Sequence, residues 1–358
     1  MSKPKILHIA PENFAGMPMD FVKMHRAAGY ESRLITMYRT PVKYDEDISL
    51  DLHVPQNKLS KKWRQNKFVD KTKSPDKVKY YSEKNIFEKI YFSLRDFKNR
   101  DKISEAIKKY NLYDFDIYHF DGGMDFFRNS GFAKRLRTMN KKLVMCYFGS
   151  DLRTRGIFRE MESISDLNLT VEFDHTEIYK NIHFLFFPAG PAGTSVPKRN
   201  YSEIIKVLHS PTNRIFKGTD NILKVIEKLK MKFDFEFVLA ENMERNELLN
   251  LKKQCHLAID TVGGVCGGSG YGKNSIENLS LGLPTITEFT PEYFKFLPEN
   301  PFIVADINSL YDVMSDIFIH PQILKRYADE GIKWVTKYHG FESVNKRLEE
   351  LYMKAGIL

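Results

Sequence analysis

Short, uninterrupted apolar runs alternate with stretches of helical spacing along most of this chain. Residues 5–10, KILHIA, are apolar and β-prone, residues 12–16 make a loop, and residues 17–28 carry apolar positions at helical intervals. Gly29 closes that helix and a second strand follows at 32–37. Further strands are expected at 116–120 and 143–148, with a helix over about 125–139 between them. Strands that read as continuous apolar runs, alternating with helices, predict a parallel sheet buried on both faces.

A second series repeats the pattern. Strands are expected at 204–208, 235–239, 257–260 and 284–287, and helices at 220–229, 245–254 and 273–281. Between the two series lies FFPAGPAGTSVPKRN, residues 186–200, with three Pro and two Gly, a composition suited to a hinge. The last stretch is helical at 309–317, 321–338 and 341–355, with Val344, Leu348, Leu351 and Met353 at amphipathic spacing. Two doubly wound α/β domains are therefore expected. A length of 358 residues agrees, since one core stops growing near 250–300 residues.

Composition adds little: 42% hydrophobic and 13% aromatic residues, with no low-complexity tract, describe an ordinary globular chain. The opening MSKPKILHIAPENF has too short an apolar run for a signal peptide, and no stretch approaches 18 uninterrupted apolar residues, so a cytoplasmic location is expected. Cys146, Cys255 and Cys266 show no paired spacing and are read as reduced packing residues. Asp45-Glu46-Asp47 and Asp114-Phe115-Asp116 fit a metal-holding Asp-x-Asp string, but one lies in a polar loop and the other opens a strand, so neither is expected to bind metal.

Charge is more telling by location. Residues 53–102 hold 15 Lys and Arg against 6 Asp and Glu, an excess equal to the formal net charge of +9 for the whole chain. Trp63, Phe68, Tyr80, Tyr81, Phe87, Tyr91, Phe92 and Phe97 are interleaved with these cations, and Ile86, Phe87, Ile90, Tyr91, Leu94 and Phe97 form a helical stripe. Such a stripe either packs on its own domain or rests on an anionic membrane leaflet. No nucleic-acid-binding motif accompanies the charge, and nucleic acid is not an expected partner.

The segment with the most chemistry is CHLAIDTVGGVCGGSGYGKNSIENLSLGLPTI, residues 255–286. A strand ending at Asp260 leads into a loop with Gly263, Gly264, Gly267, Gly268, Gly270 and Gly272, then into a helix. Glycines permit close backbone approach, and a helix N-terminus presents unpaired amides at the positive end of its dipole, which together suit a diphosphate. Glu277, a little over one turn into the helix, can accept two hydrogen bonds from neighbouring hydroxyls such as those of a ribose. A flexible loop beside a solvated glutamate is the competing reading.

This pattern resembles the donor-binding signature of retaining glycosyltransferases of family 4. The resemblance implies the GT-B fold, two Rossmann-like doubly wound domains facing across a cleft, with a C-terminal helix returning to the N-terminal domain. It divides the chain into an acceptor-side domain at 1–198, a nucleotide-sugar domain at 199–338 and a returning helix at 339–358. The family signature carries two glutamates: Glu277 matches the one that holds the ribose, whereas Ser269 stands where the other contacts the transferred sugar. Ser269, Gly270, Tyr271, Gly272, Lys273 and Asn274 are thereby implied in donor binding.

In VLHSPTNRIFKGTDNILKVI, residues 207–226, Lys217 and Gly218 match the family's Lys-Gly step, and Arg214 lies three residues before the lysine where the family places arginine five before. Both cations would offset charge growing on the departing diphosphate. The loop PENFAGMPMDF resembles the family's glycine turn near the phosphates, with Gly16 at its tight point. In YDFDIYHFDGG, Asp121 takes the position of a histidine that faces the sugar, with His119 two residues earlier. MCYFGSDLRTR resembles a family segment that lines the acceptor side through Gly149, Ser150, Asp151 and Arg153, with Phe148 where histidine is common.

The resemblance implies transfer of a sugar from a nucleoside diphosphate to a glycan or lipid-linked acceptor, without a metal or other cofactor. Two further readings stay open: a nucleotide-sugar epimerase of the same fold, and a nucleotide-sugar-binding partner without catalysis.

Overall fold

The computed structural model describes residues 3–39, 44–52, 77–83, 85–190, 196–265 and 270–358. The chain forms two compact units, Met1–Pro188 with Val344–Leu358, and Ala189–Ser343.

The first unit is built on a parallel sheet of β1 (Ile6–Ala10), β2 (Ser32–Thr36), β3 (Ile48–Ser49), β4 (Ile117–Asp121), β5 (Lys142–Tyr147), β6 (Leu167–Thr170) and β7 (His183–Phe184). Their order across the sheet is β3-β2-β1-β4-β5-β6-β7. The direction of winding reverses between β1 and β4, and ligands of open α/β sheets bind outside the strand ends at such a reversal. Leu7, Ile9, Tyr118, Phe120, Leu143 and Met145 from the central strands are fully buried in one core with Phe126, Phe132 and Leu136. Each fully buried aliphatic side chain contributes about 1.5–3 kcal/mol.

The helix Ile86–Lys109 joins this core only through its second half, where Ile103 and Ala106 are buried. Its first half starts on Asn85, whose side chain accepts from the Glu88 amide at 2.9 Å, and leaves Ile86, Phe87, Ile90, Leu94 and Phe97 between 51% and 78% exposed. Residues 53–76 of the basic insert lie outside the described residues. Of the helix Phe341–Lys354, residues from Val344 onward belong to this unit. Val344, Leu348 and Leu351 are buried, and Glu349 accepts from the Tyr30 hydroxyl at 2.5 Å. Both Asp-x-Asp strings serve as tethers: Asp47 accepts from the Leu34 amide at 2.8 Å, and Asp116 from the Lys5 amide at 2.9 Å.

The second unit carries a five-stranded parallel sheet of β8 (Lys206–His209), β9 (Glu236–Leu239), β10 (Leu257–Ile259), β11 (Thr285–Thr287) and β12 (Ile303–Val304), ordered β12-β11-β10-β8-β9. Its reversal lies between β8 and β10. Arg199, at the end of the segment read as a hinge, is anchored to this unit: it donates to the carbonyls of Cys255 at 2.6 Å, Leu281 at 2.8 Å and Gly282 at 2.8 Å. Cys146 and Cys255 are buried free thiols, and Cys266 lies outside the described residues. Among the described residues no helix is long and apolar enough to cross a membrane.

Candidate functional site

In the second unit the chemistry gathers at the reversal between β8 and β10. Beyond β8, Asn213 caps the short helix Arg214–Lys217 by accepting from the amides of Ile215 at 3.0 Å and Phe216 at 3.1 Å. Gly218 ends it with φ +68°, and a Cβ there would collide with the Val262 carbonyl. The absence of a side chain therefore lets the loop after β8 lie directly on the loop after β10. This close approach brings Lys217 to the end of β10, where its ammonium donates to Asp260 Oδ1 at 2.7 Å and Thr261 Oγ1 at 2.9 Å.

Asp260 is the hub. Its second oxygen accepts from Ser275 Oγ at 2.5 Å, and Asn274 Nδ2 donates to Oδ1 at 3.0 Å, so the strand end is tied to the first turn of the helix Lys273–Ser280. Burial by itself would raise this carboxyl; the Lys217 ammonium and the Ser275 and Asn274 donors outweigh it and hold the pKa at about 2. Glu277, one turn further, pairs with Lys252 Nζ at 2.9 Å and Arg245 Nη1 at 2.5 Å. Lys252 is fully buried and also donates to Asn274 Oδ1 at 2.7 Å. Burial lowers the Lys252 pKa, while the two cations, outweighing burial, lower that of Glu277.

Lys217, Asn274 and Glu277 are thus joined into one network through Asp260 and Lys252. Arg214 turns elsewhere, pairing with Asp220 at 2.5 Å and Glu241 at 2.8 Å. Tyr271 is buried in an aromatic group with Phe289, Tyr293, Phe302 and Trp334, and its hydroxyl meets His339 Nε2 at 3.0 Å. Gly270 abuts the Phe289 ring, whereas a Cβ on Gly272 would meet nothing within 4 Å, which leaves the helix N-terminus open beside Lys273. Ser269 lies outside the described residues.

The first unit holds a cavity of about 290 Å³ at its own reversal, past the ends of β1 and β4. Asp121, Gly149, Ser150 and Asp151 line it, with Glu12, Phe14 and Phe148. Asp151 opens a single wide π turn, Asp151–Arg155, and its carboxylate accepts from the amides of Phe148 at 2.9 Å, Gly149 at 2.8 Å and Leu152 at 2.8 Å. Such wide turns are rare and concentrate at functional sites. Asp121 accepts from or donates to His8 Nδ1 at 3.0 Å, and burial, reinforced by Asp151, raises its carboxyl well above the ordinary range.

Arg153 is held away from the cavity by Glu172 and by Asp174, the latter at 2.5 Å. His119 is fully buried against the Tyr352 hydroxyl. Gly16, at φ +71°, caps the helix Met17–Ala27.

Sequence reasoning passed over Asp260, Ser275, Lys252 and Arg245 in the second unit, and Glu12 and Phe14 in the first. Asp260 and Phe14 did carry a signal: a carboxylate closing an apolar strand, and an aromatic in the loop after the first strand. Lys252 carried none, being one of two adjacent lysines on a helix.

Neither a family model nor a curated protein matches the sequence. Solved structures do match over nearly the whole chain. Sucrose-phosphate synthase from Thermosynechococcus elongatus aligns with TM-score 0.60 at 12% identity, covering 98% of each chain. Anabaena HepE in complex with UDP aligns at 0.57 and 8%, covering 98% of this chain and 100% of that one. The catalytic domain of Starch Synthase IV from Arabidopsis thaliana, bound to ADP and acarbose, aligns at 0.57 and 12%, covering 99% of each. The chain has the GT-B fold of these proteins.

Proposed function

We propose that this chain is a retaining glycosyltransferase that moves a sugar from a nucleoside diphosphate to an acceptor hydroxyl, in glycan or glycoconjugate biosynthesis. The observation that carries this reading is the network of Lys217, Asp260, Asn274 and Glu277 at the sheet reversal of the second unit. Its parts match what a nucleoside diphosphate presents. Lys217 supplies an ammonium, the open helix start beside Gly272 supplies amides for phosphate oxygens, and Glu277 supplies carboxylate oxygens for the ribose. The UDP and ADP held by HepE and by Starch Synthase IV support that ligand class.

As the glycosidic bond breaks, negative charge grows on the leaving diphosphate, and a fixed cation in a poorly solvated place stabilises it. Lys217 has this role, with Arg214 adding a second positive charge once freed from Asp220. The acceptor is assigned to the first unit's cavity, where Phe14 and Phe148 offer apolar faces to a sugar ring and Asp121 and Ser150 offer polar contacts. No enzymic nucleophile and no metal is invoked.

The test is a thermal-shift screen of UDP-, GDP- and ADP-sugars, followed by nucleotide release with and without acceptors. A cognate donor at a hundred times its Kd stabilises by about 2.7 kcal/mol, and release should require acceptor. Absence of stabilisation by every donor would remove the reading; an altered sugar still attached to its nucleotide would make the chain an epimerase, and binding without release a non-catalytic partner.

We further propose that the enzyme works at the inner face of a membrane, on a lipid-linked acceptor. The exposed stripe Ile86, Phe87, Ile90, Leu94 and Phe97 shares its helix with exposed Lys89, Lys98, Arg100 and Lys102. Each basic residue near an anionic leaflet contributes about 1 kcal/mol. Flotation should recover the protein with anionic vesicles and not with neutral ones, and Phe87→Glu with Phe97→Glu should abolish recovery; equal recovery with both vesicle types sinks the idea.

A further inference from the structure

Three histidines meet in the core of the first unit. His8 of β1 and His119 of β4 are directly paired across the parallel ladder, so both side chains leave the same face of the sheet. His25, on the helix Met17–Ala27, is brought to that face as its strip of Met17, Phe21 and Met24 packs inward. All three imidazoles are fully buried.

We propose that His8, His25 and His119 form a three-histidine site for a divalent transition metal, zinc foremost, with the fourth tetrahedral position left to a non-protein ligand such as water. One ring nitrogen from each lies within 4.8 Å of one from each of the others. His8 Nε2 and His25 Nδ1 are 3.3 Å apart. Two nitrogens bound tetrahedrally to one zinc at about 2.0–2.1 Å stand roughly 3.3–3.4 Å apart, so this edge is already set for ligation. The ring centroids are 5.3 Å apart for His8 and His25, 5.7 Å for His25 and His119 and 4.3 Å for His8 and His119, so His25 is spread from the other two rings while His8 and His119 lie close together.

Two further observations favour a metal over simple packing. First, the outer ring positions are held as they are in metal sites: Asp121 bonds His8 Nδ1 at 3.0 Å, and the Tyr352 hydroxyl bonds His119 Nε2, fixing ring orientation from behind. Second, the hydrogen bonding is incomplete without an added ion. His119 Nδ1 has no partner among the described residues, whereas buried polar atoms are ordinarily satisfied; His25 Nε2 also lacks one, and a metal on His25 Nδ1 would leave it so. A metal would take up the His119 Nδ1 lone pair. Burial also keeps the rings neutral, as ligation requires. Imidazole nitrogens suit zinc, copper and nickel better than calcium or magnesium.

The test uses the full chain produced in zinc-supplemented cells, desalted and analysed by plasma mass spectrometry. Zinc should be retained stoichiometrically, and both His25→Ala and His119→Ala should reduce it to background. Asp121→Asn, which keeps all three ligands, should weaken zinc about 10- to 100-fold against a competing chelator. Because a ligand variant can fail to fold, the unaltered chain produced with cobalt gives a second readout, the intense visible absorption of tetrahedral cobalt(II). Background zinc together with no cobalt spectrum in the folded, unaltered chain overturns the proposal, as does full zinc retention by folded His25→Ala and His119→Ala.

Discussion

Lys217→Ala is expected to lower single-turnover sugar transfer by about a hundred- to a thousandfold, the loss seen when one preorganised donor to a developing anion is removed. The side chain is only 17% exposed, so its charge acts in a place where water screens little. The same ammonium is a main partner of buried Asp260, and a stability cost of about 1–3 kcal/mol accompanies its removal. The two effects separate by pH. Asp260 has a folded pKa of about 2 against an ordinary 3.8, so it stabilises the fold above 3.8 and that contribution is lost as pH falls through about 2. Without Lys217 the folded pKa rises, the contribution shrinks, and acid unfolding followed by circular dichroism should begin at higher pH. A variant that shows this acid shift yet transfers sugar within a few-fold of the unaltered rate would make Lys217 a packing residue and sink its catalytic role.

That network illustrates how far the sequence could be read. The central strands were legible because burial on both faces writes them as apolar runs: ILHIA became β1 and KLVMCY β5. Edge strands of two residues, such as β3, β7 and β12, leave no such trace, since their pairing is supplied by the neighbouring strand. The strand β6, LNLT, is half polar, and Asn168 is accommodated only because the Asn181 carbonyl lies 3.2 Å away. Nothing in the local pattern announces that partner.

The site divides the same way. Lys217 and Glu277 stood out through motif spacing, and both lie in one network. The residues that join them, Asp260 and Lys252, come from a strand end and a separate helix, and no spacing in the sequence marks their convergence. The glycine loop was read as room for a ligand. Gly264 and Gly270 lie hard against the Phe216 carbonyl and the Phe289 ring, and among the described glycines of the loop only Gly272 faces open space. A glycine in a sequence says that something comes close; which thing comes close is written elsewhere in the fold. The apolar stripe from Ile86 to Phe97 could be read as packing on its own domain or as resting on a membrane leaflet, and in the fold most of it is exposed.

Glu277→Ala should be the more damaging change for stability, by about 3–5 kcal/mol, because it strands an ion inside the protein. Arg245 is 35% exposed and can turn to water, but Lys252 is fully buried and keeps only neutral Asn274 as an acceptor at 2.7 Å. Burial already lowers the Lys252 pKa from 10.5, and Glu277 opposes that shift. Removing the carboxylate lowers the folded value further. Between that folded value and 10.5 the unfolded chain binds a proton that the folded chain lacks, so stability rises with pH across the interval, by at most 1.36 kcal/mol per unit. The stability gap between Glu277→Ala and the unaltered protein should therefore narrow, in urea unfolding, as pH rises from the variant's folded Lys252 value towards that of the unaltered protein. Donor affinity should fall at every pH, by about 1.5–3 kcal/mol for each lost charged hydrogen bond to the ribose. A gap that stays constant with pH would mean that Lys252 does not carry the strain, and unchanged donor affinity would detach Glu277 from the nucleotide. Glu277→Gln tests the charge by itself: it preserves shape and one acceptor, so it should reproduce the pH dependence while losing less affinity than alanine.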